Sequence, residues 1–239
     1  GVQIPKGVFI VGMPGCGKSL AAKATAKLFE LPLVRLDVGR LLGKYVGESE
    51  NNMRKALALS EAMSPCVLWI DELEKSFAGV GGEGGNDVTT RLFGQFLTWM
   101  QEKENSVFIV ATANNIDAMP PEFLRKGRFD EIFFVDLPKK EERKNIFKIH
   151  IQKRKKVVCK NIDLNKLADL TEGYNGADIE AIVKEAIENI FIDGEKEELD
   201  TDELEKVIRQ TKSISVILKD KIETMRNRIS KMNIENASK

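Results

Sequence analysis

Apolar and polar positions alternate at two different periods along this chain. Near-continuous apolar runs at 7–11, 33–38, 66–70, 107–112 and 132–135 fit strands buried on both faces. Between them, 20–29, 49–62 and 88–102 carry helical spacing, with Ser49 placed to cap the second of these helices. The alternation predicts an α/β domain over residues 1–138: a parallel five-stranded sheet with helices on both faces. Residues 79–87 (GVGGEGGND) read as a glycine-rich loop. After Pro138 the texture changes. Segments 141–154, 164–170, 177–192, 201–210 and 218–232 are all helical in period, and no strand is evident. Ile179, Ile182, Val183, Ala186, Ile187 and Ile190 form one apolar stripe. A small all-helical domain is therefore expected over 139–239, with the boundary near Lys139.

Two strand ends carry chemistry. Residues 12–19 read GMPGCGKS, between the first strand and the first helix. Gly12, Gly15 and Gly17 allow successive backbone N–H groups to turn inward around phosphates, with Pro14 and Cys16 filling the variable positions. The helix that begins near Leu20 aims its positive end at the same anion. Lys18 is placed to reach the β- and γ-phosphates of ATP, and Ser19 to ligate Mg²⁺. The third strand ends in CVLWIDE. There Asp71 is positioned to support the metal through water, and Glu72 to orient or deprotonate an attacking water. An adjacent acidic pair suits water as nucleophile better than the separate acceptor a kinase needs. Alone, each motif has a bland reading, a glycine turn or a solvated acidic strand end. Together, in this order, they point to an ATP hydrolase.

Composition narrows the picture further. Thirty-seven basic and thirty-seven acidic residues cancel, so whole-chain charge gives no reason to expect nucleic acid or an anionic membrane as partner. The run Lys153-Arg154-Lys155-Lys156 reads as a solvated helix end. No apolar stretch is long enough to span a bilayer. Cys16, Cys66 and Cys159 share no metal spacing with the lone His150, and so sparse a set suits a reducing cytoplasm. The chain begins at Gly1 and enters its first strand within seven residues, which suggests an excised fragment.

The motifs GMPGCGKS, LWIDE, ATANN, LRKGRFDE and GYNGADIEAIVKEA, in this order and spacing, resemble those of AAA ATPases over nearly the whole chain. RLDVGRL, CVLWIDE and VATANNIDAMPPEFLRKGRFDEIFF most resemble the stand-alone AAA proteins of bacteria and plastids typified by a hypothetical chloroplast reading frame. KYVGESE is similar to the microtubule-severing and membrane-remodelling members. The resemblance implies a ring, a hexamer in most relatives, that works on a protein substrate. It implies that Asn114 senses the γ-phosphate, and that Arg125 and Arg128 are arginine fingers offered to a neighbouring subunit. Gly176 and Ala177 match the second-sensor region without supplying its arginine, and His150 lies where relatives place a histidine against adenosine. Tyr45 matches the aromatic residue of the first pore loop, with packing on its own domain as the competing reading. The alternatives in function are an ATP-dependent assembly switch that threads nothing and a nucleic-acid motor.

Overall fold

Val8, Phe9, Ile10 and Val11 carry apolar groups on both faces of one strand, and only a sheet covered on both sides buries them. In the computed structural model this strand, β1 (Gly7–Gly12), lies inside the sheet. The structure describes residues 4–41, 47–77, 87–125, 127–154, 157–193, 198–232 and 234–238. The other strands of the first domain are β2 (Leu33–Arg35), β3 (Cys66–Ile70), β4 (Val107–Ala113) and β5 (Glu131–Val135). They run parallel in the order β2-β3-β4-β1-β5. β4 lies between β1 and β3, the strands that bear the two motifs.

The crossovers are α1 (Lys18–Leu28), α2 (Glu48–Ala62), one-turn α3 (Leu73–Ser76) and α4 (Asp87–Glu102). On one face the small residues Ala22 and Ala26 let α1 settle onto Ile10, Val67, Trp69 and Val110. On the other, Met53, Leu57, Leu92, Phe96 and Met100 of α2 and α4 bury against Phe9, Leu68 and Ile109. Phe123 anchors this face, in ring contact with Phe77, Phe93, Phe96 and Phe129. α2 starts one residue before the expected position. Gly47, left-handed at φ 81°, occupies the cap position where Ser49 was expected, and Ser49 is the buried second residue of the helix.

The second unit is built on α5 (Lys140–Gln152), α6 (Leu164–Leu170), α7 (Gly176–Asp193) and α8 (Thr201–Gln210). Phe147, Leu167, Ile179, Ile182, Val183, Ala186, Leu204 and Val207 form its own core. The buried Arg143 guanidinium donates to the carbonyls of Ala168 and Pro138 and so ties α5 to α6. Two expectations for this half fail. It contains strands: β6 (Val158–Cys159) pairs in parallel with β7 (Glu198–Leu199). Two-residue strands are too short to show a period in sequence.

Nor do residues 139–239 all belong to the second unit. After one-turn α9 (Ile214–Ile217), α10 (Lys219–Lys231) returns to the first domain. There Ile222, Met225 and Ile229 join the core beneath the sheet. β8 (Glu235–Asn236) then pairs with β5, so the sheet has six strands rather than five. Arg226 grips Asp136 with two nitrogens, at 2.9 and 3.0 Å, and Arg228 meets Asp117 at 2.9 Å. Periodicity shows that α10 has an apolar face but not which core that face enters. Among the described residues no helix is long and apolar enough to cross a membrane.

Candidate functional site

The carboxyl ends of β1, β3 and β4 converge, and their unequal lengths build the site. In register, Ile70 at the end of β3 sits opposite Ala111, so β4 runs on past it through Thr112 and Ala113. This overhang puts Thr112 beside Asp71 and Asn114 beside Glu72. The Thr112 hydroxyl donates to Asp71 Oδ1 at 2.6 Å and accepts from the Glu72 backbone N–H at 3.2 Å. The Asn114 amide donates to Glu72 Oε1 at 3.0 Å. Glu72 itself is left-handed at φ 51°, which turns its side chain off the strand line. Lys75 also reaches Glu72 Oε1, at 2.8 Å across an exposed turn.

On the other side of β4, Gly12 ends β1 and the loop follows. Gly15 and Gly17 take φ +74° and +85°, a region that favours glycine. At Gly15 a Cβ would also stand 2.4 Å from the Asn175 amide nitrogen. Lys18 is buried, and its ammonium donates back to the carbonyls of Gly12 at 3.0 Å and Met13 at 2.6 Å. Burial pulls its pKa below the ordinary lysine value, while Cys16 and the carboxylates of Glu74, Asp71 and Glu72 act in the opposite direction. A charge held in this way, on carbonyls at the mouth of a loop, fits an anion that replaces them. The Ser19 hydroxyl donates to Asp71 Oδ1 at 2.9 Å, so the two expected metal-side oxygens are adjacent. One hydroxyl and one carboxylate beside a phosphate site suit Mg²⁺, which takes its remaining ligands from phosphate and water. Leu20 is largely exposed on α1. Burial pushes the Cys16 thiol up to about 11, so it is a thiol and not a reactive thiolate at neutral pH.

The second unit closes over this loop. Asn175 caps α7: its Oδ1 accepts from Asp178 N at 2.7 Å, and Asp178 Oδ2 accepts from Asn175 N at 3.2 Å. The same amide donates to Pro14 O at 2.9 Å, and Ala177 N donates to Gly15 O at 3.1 Å. Gly176 leaves just enough room, since a Cβ there would lie 3.1 Å from Gly15 O. Gly176 and Ala177 thus lie against the loop. His150, one turn beyond Ile146 on α5, borders a cavity of about 190 Å³ with Glu180 and Val183. Its Nδ1 stands 3.5 Å from Glu180 Oε1, and burial holds its pKa below the usual histidine value.

Arg125 and Arg128 are not brought to this site. Asp130, two residues after Arg128, accepts from the backbone of Lys6 and Gly7 at the start of β1. The loop follows the other end of that six-residue strand, about 20 Å away at ~3.3 Å per residue. Arg128 donates to the carbonyl of Leu97, and Arg125 is exposed with no side-chain partner among the described residues. Tyr45 and most of the 79–87 loop lie outside the described residues; Asp87 begins α4.

Thr112, Glu74, Lys75 and Asn175 were not singled out as site residues from the sequence. Thr112 was visible as a hydroxyl in an otherwise apolar strand. Glu74 was visible as a third acid in DELE.

Comparison with known proteins follows the same lines. The ATPase family associated with various cellular activities (AAA) matches residues 8–137, and the AAA+ lid domain matches 161–206. The chain is 45% identical to the AAA domain-containing protein ycf46 of Pyropia yezoensis over 225 residues, 94% of this chain and 45% of that protein. The ycf46 protein of Guillardia theta is 42% identical over 238 residues, 100% of this chain and 47% of that protein. The cell division cycle protein 48 homolog of Archaeoglobus fulgidus is 37% identical over 187 residues, 77% of this chain and 25% of that protein. The chain thus spans less than half the length of each of these relatives.

Proposed function

Since the chain belongs to the AAA family of P-loop ATPases, we propose that it forms a ring, hexameric in the manner of the family, and hydrolyses ATP at the interfaces between copies to remodel or translocate a protein. The placement of the arginines carries this reading. Among the described residues, the site draws phosphate-, metal- and water-facing groups from one chain but no arginine, while Arg125 stands exposed at the far end of β1. A neighbour's Arg125 and Arg128 supply what is missing. Exposed apolar side chains where α1 ends (Leu28 and the following Phe29) and at the end of α7 (Phe191, Ile192) offer surface for such contacts.

In this account Lys18 leaves the Gly12 and Met13 carbonyls for the β- and γ-phosphates. The loop N–H groups and the start of α1 complete the cradle. Ser19 and Asp71 hold Mg²⁺, and the metal when bound neutralises developing phosphate charge. Thr112 keeps Asp71 in place. Glu72 takes the proton of the attacking water, and Asn114 links that carboxylate to the γ-phosphate. His150 and its cavity border the adenosine. Ala177, bonded to the loop at Gly15, and Gly176 packed beside it carry the change of nucleotide state into the second unit. The compartment is the cytoplasm or its equivalent, and nucleic acid is not the substrate.

Tyr45 tests the output. With a polypeptide fused to the chain, Tyr45→Ala is expected to abolish unfolding of that substrate, because no ring remains to wedge between its side chains. Tyr45→Phe keeps the apolar face and is expected to work. ATP turnover on the same samples separates loss of grip from loss of the motor. Full unfolding activity in Tyr45→Ala would leave the assembly-switch reading in its place.

A further inference from the structure

Glu74 is a buried carboxylate with an unexplained half. It sits on one-turn α3 between Leu73 and Phe77, both almost wholly buried, and is itself only 7% exposed. Its Oε1 accepts from the Asn114 backbone N–H at 2.9 Å. Its Oε2 is sealed from solvent and has no hydrogen-bond partner among the described residues. Burying a carboxylate costs more than one hydrogen bond from a neutral donor returns. Packing alone would be served better by an apolar side chain at this position. Stability does not account for Glu74.

Its surroundings do. The turn from β3 into α3 is tied to the end of β4 at alternate residues. The Glu72 backbone bonds Thr112, and the Glu74 side chain bonds the Asn114 backbone. Asn114 follows the last residue of β4, where the strand ladder has ended and its N–H needs another acceptor. The amide of the same Asn114 holds Glu72 Oε1.

We propose that Glu74 is a positioning residue of the hydrolytic site: its carboxylate fixes the backbone of Asn114, so that the Asn114 amide can orient the Glu72 carboxylate. This rests on the reading of Glu72 and Asn114 as the residues that handle the attacking water. The consequence is a three-residue chain, Glu74 to Asn114 to Glu72, in which only the last member meets the water.

Five variants test it by steady-state turnover, with nucleotide affinity and thermal stability measured alongside. Glu74→Met fills the space without an acceptor and is expected to lower kcat about ten- to hundredfold, as a displacement of about 1 Å at a catalytic group does, with KM little changed. Glu74→Gln keeps an acceptor oxygen for Asn114 N and is expected to recover most of that loss. Glu74→Asp keeps the charge but withdraws the oxygen, and is expected to lose kcat as Glu74→Met does; it decides the matter if the methionine variant fails to fold. Glu74→Met combined with Asn114→Ala is expected to be no slower than Asn114→Ala alone, since both act on one link. Losses that multiply, a glutamine variant as slow as methionine, or an aspartate variant as fast as the parent would each overturn the proposal. If Asn114→Ala alone is fully active, the underlying reading of Asn114 fails instead.

Discussion

Glu72→Gln is expected to bind ATP with the affinity of the unsubstituted chain and to hydrolyse it about 10²–10⁴-fold more slowly, the usual worth of a positioned general base. The amide keeps the shape of the carboxylate and can still meet Asn114 and Lys75, which converge on Glu72 Oε1. It cannot take a proton from water. The bonds that set up the phosphate loop, Lys18 to Gly12 and Met13 and Ser19 to Asp71, do not involve Glu72, so binding survives. Equilibrium binding and single-turnover hydrolysis separate the two effects. Rapid single-turnover hydrolysis by Glu72→Gln would mean that another residue activates the water.

Arg125→Ala is expected to cut turnover by about 10³–10⁵ if it acts as fingers do in other nucleotide hydrolases. Nucleotide affinity is expected to hold, because Asp130 anchors the segment that carries Arg125 at the opposite end of β1 from the loop. Mixing gives the sharper result. Lys18→Ala subunits cannot hold phosphate but still present Arg125; Arg125→Ala subunits hold nucleotide but present no finger. Mixed, they are expected to regain part of the activity that each lacks alone. A mixture as inactive as its parts, under conditions where rings form, would place the fingers outside catalysis in trans.

Much of this was legible in sequence because long periodic segments state their own structure. The five strands of the first domain and all the longer helices lie within a few residues of where the pattern puts them, and the GMPGCGKS and LWIDE motifs name their chemistry. What stayed hidden depends on partners distant in sequence. The apolar face of α10 shows in the spacing of Ile222, Met225 and Ile229, but nothing local says that it enters the first domain's core. Strands β6, β7 and β8 have two residues each and no period to detect. Within the site, Thr112 and Glu74 act only because β4 overruns β3, an offset fixed by register and absent from either strand's own sequence. Asn175 combined two roles, as cap and as loop contact, and only the first is local.

The central claim is that hydrolysis belongs to an assembly of copies and not to a single chain. The direct measurement is the solution mass of Glu72→Gln with and without ATP, since this form traps the nucleotide-bound state. The account predicts a mass near the 26.8 kDa of one chain without nucleotide and a closed multiple of it, sixfold in a hexamer, with ATP and Mg²⁺. A protein that stays at 26.8 kDa with ATP bound, while the unsubstituted chain turns over ATP at a rate per subunit independent of concentration, would contradict it.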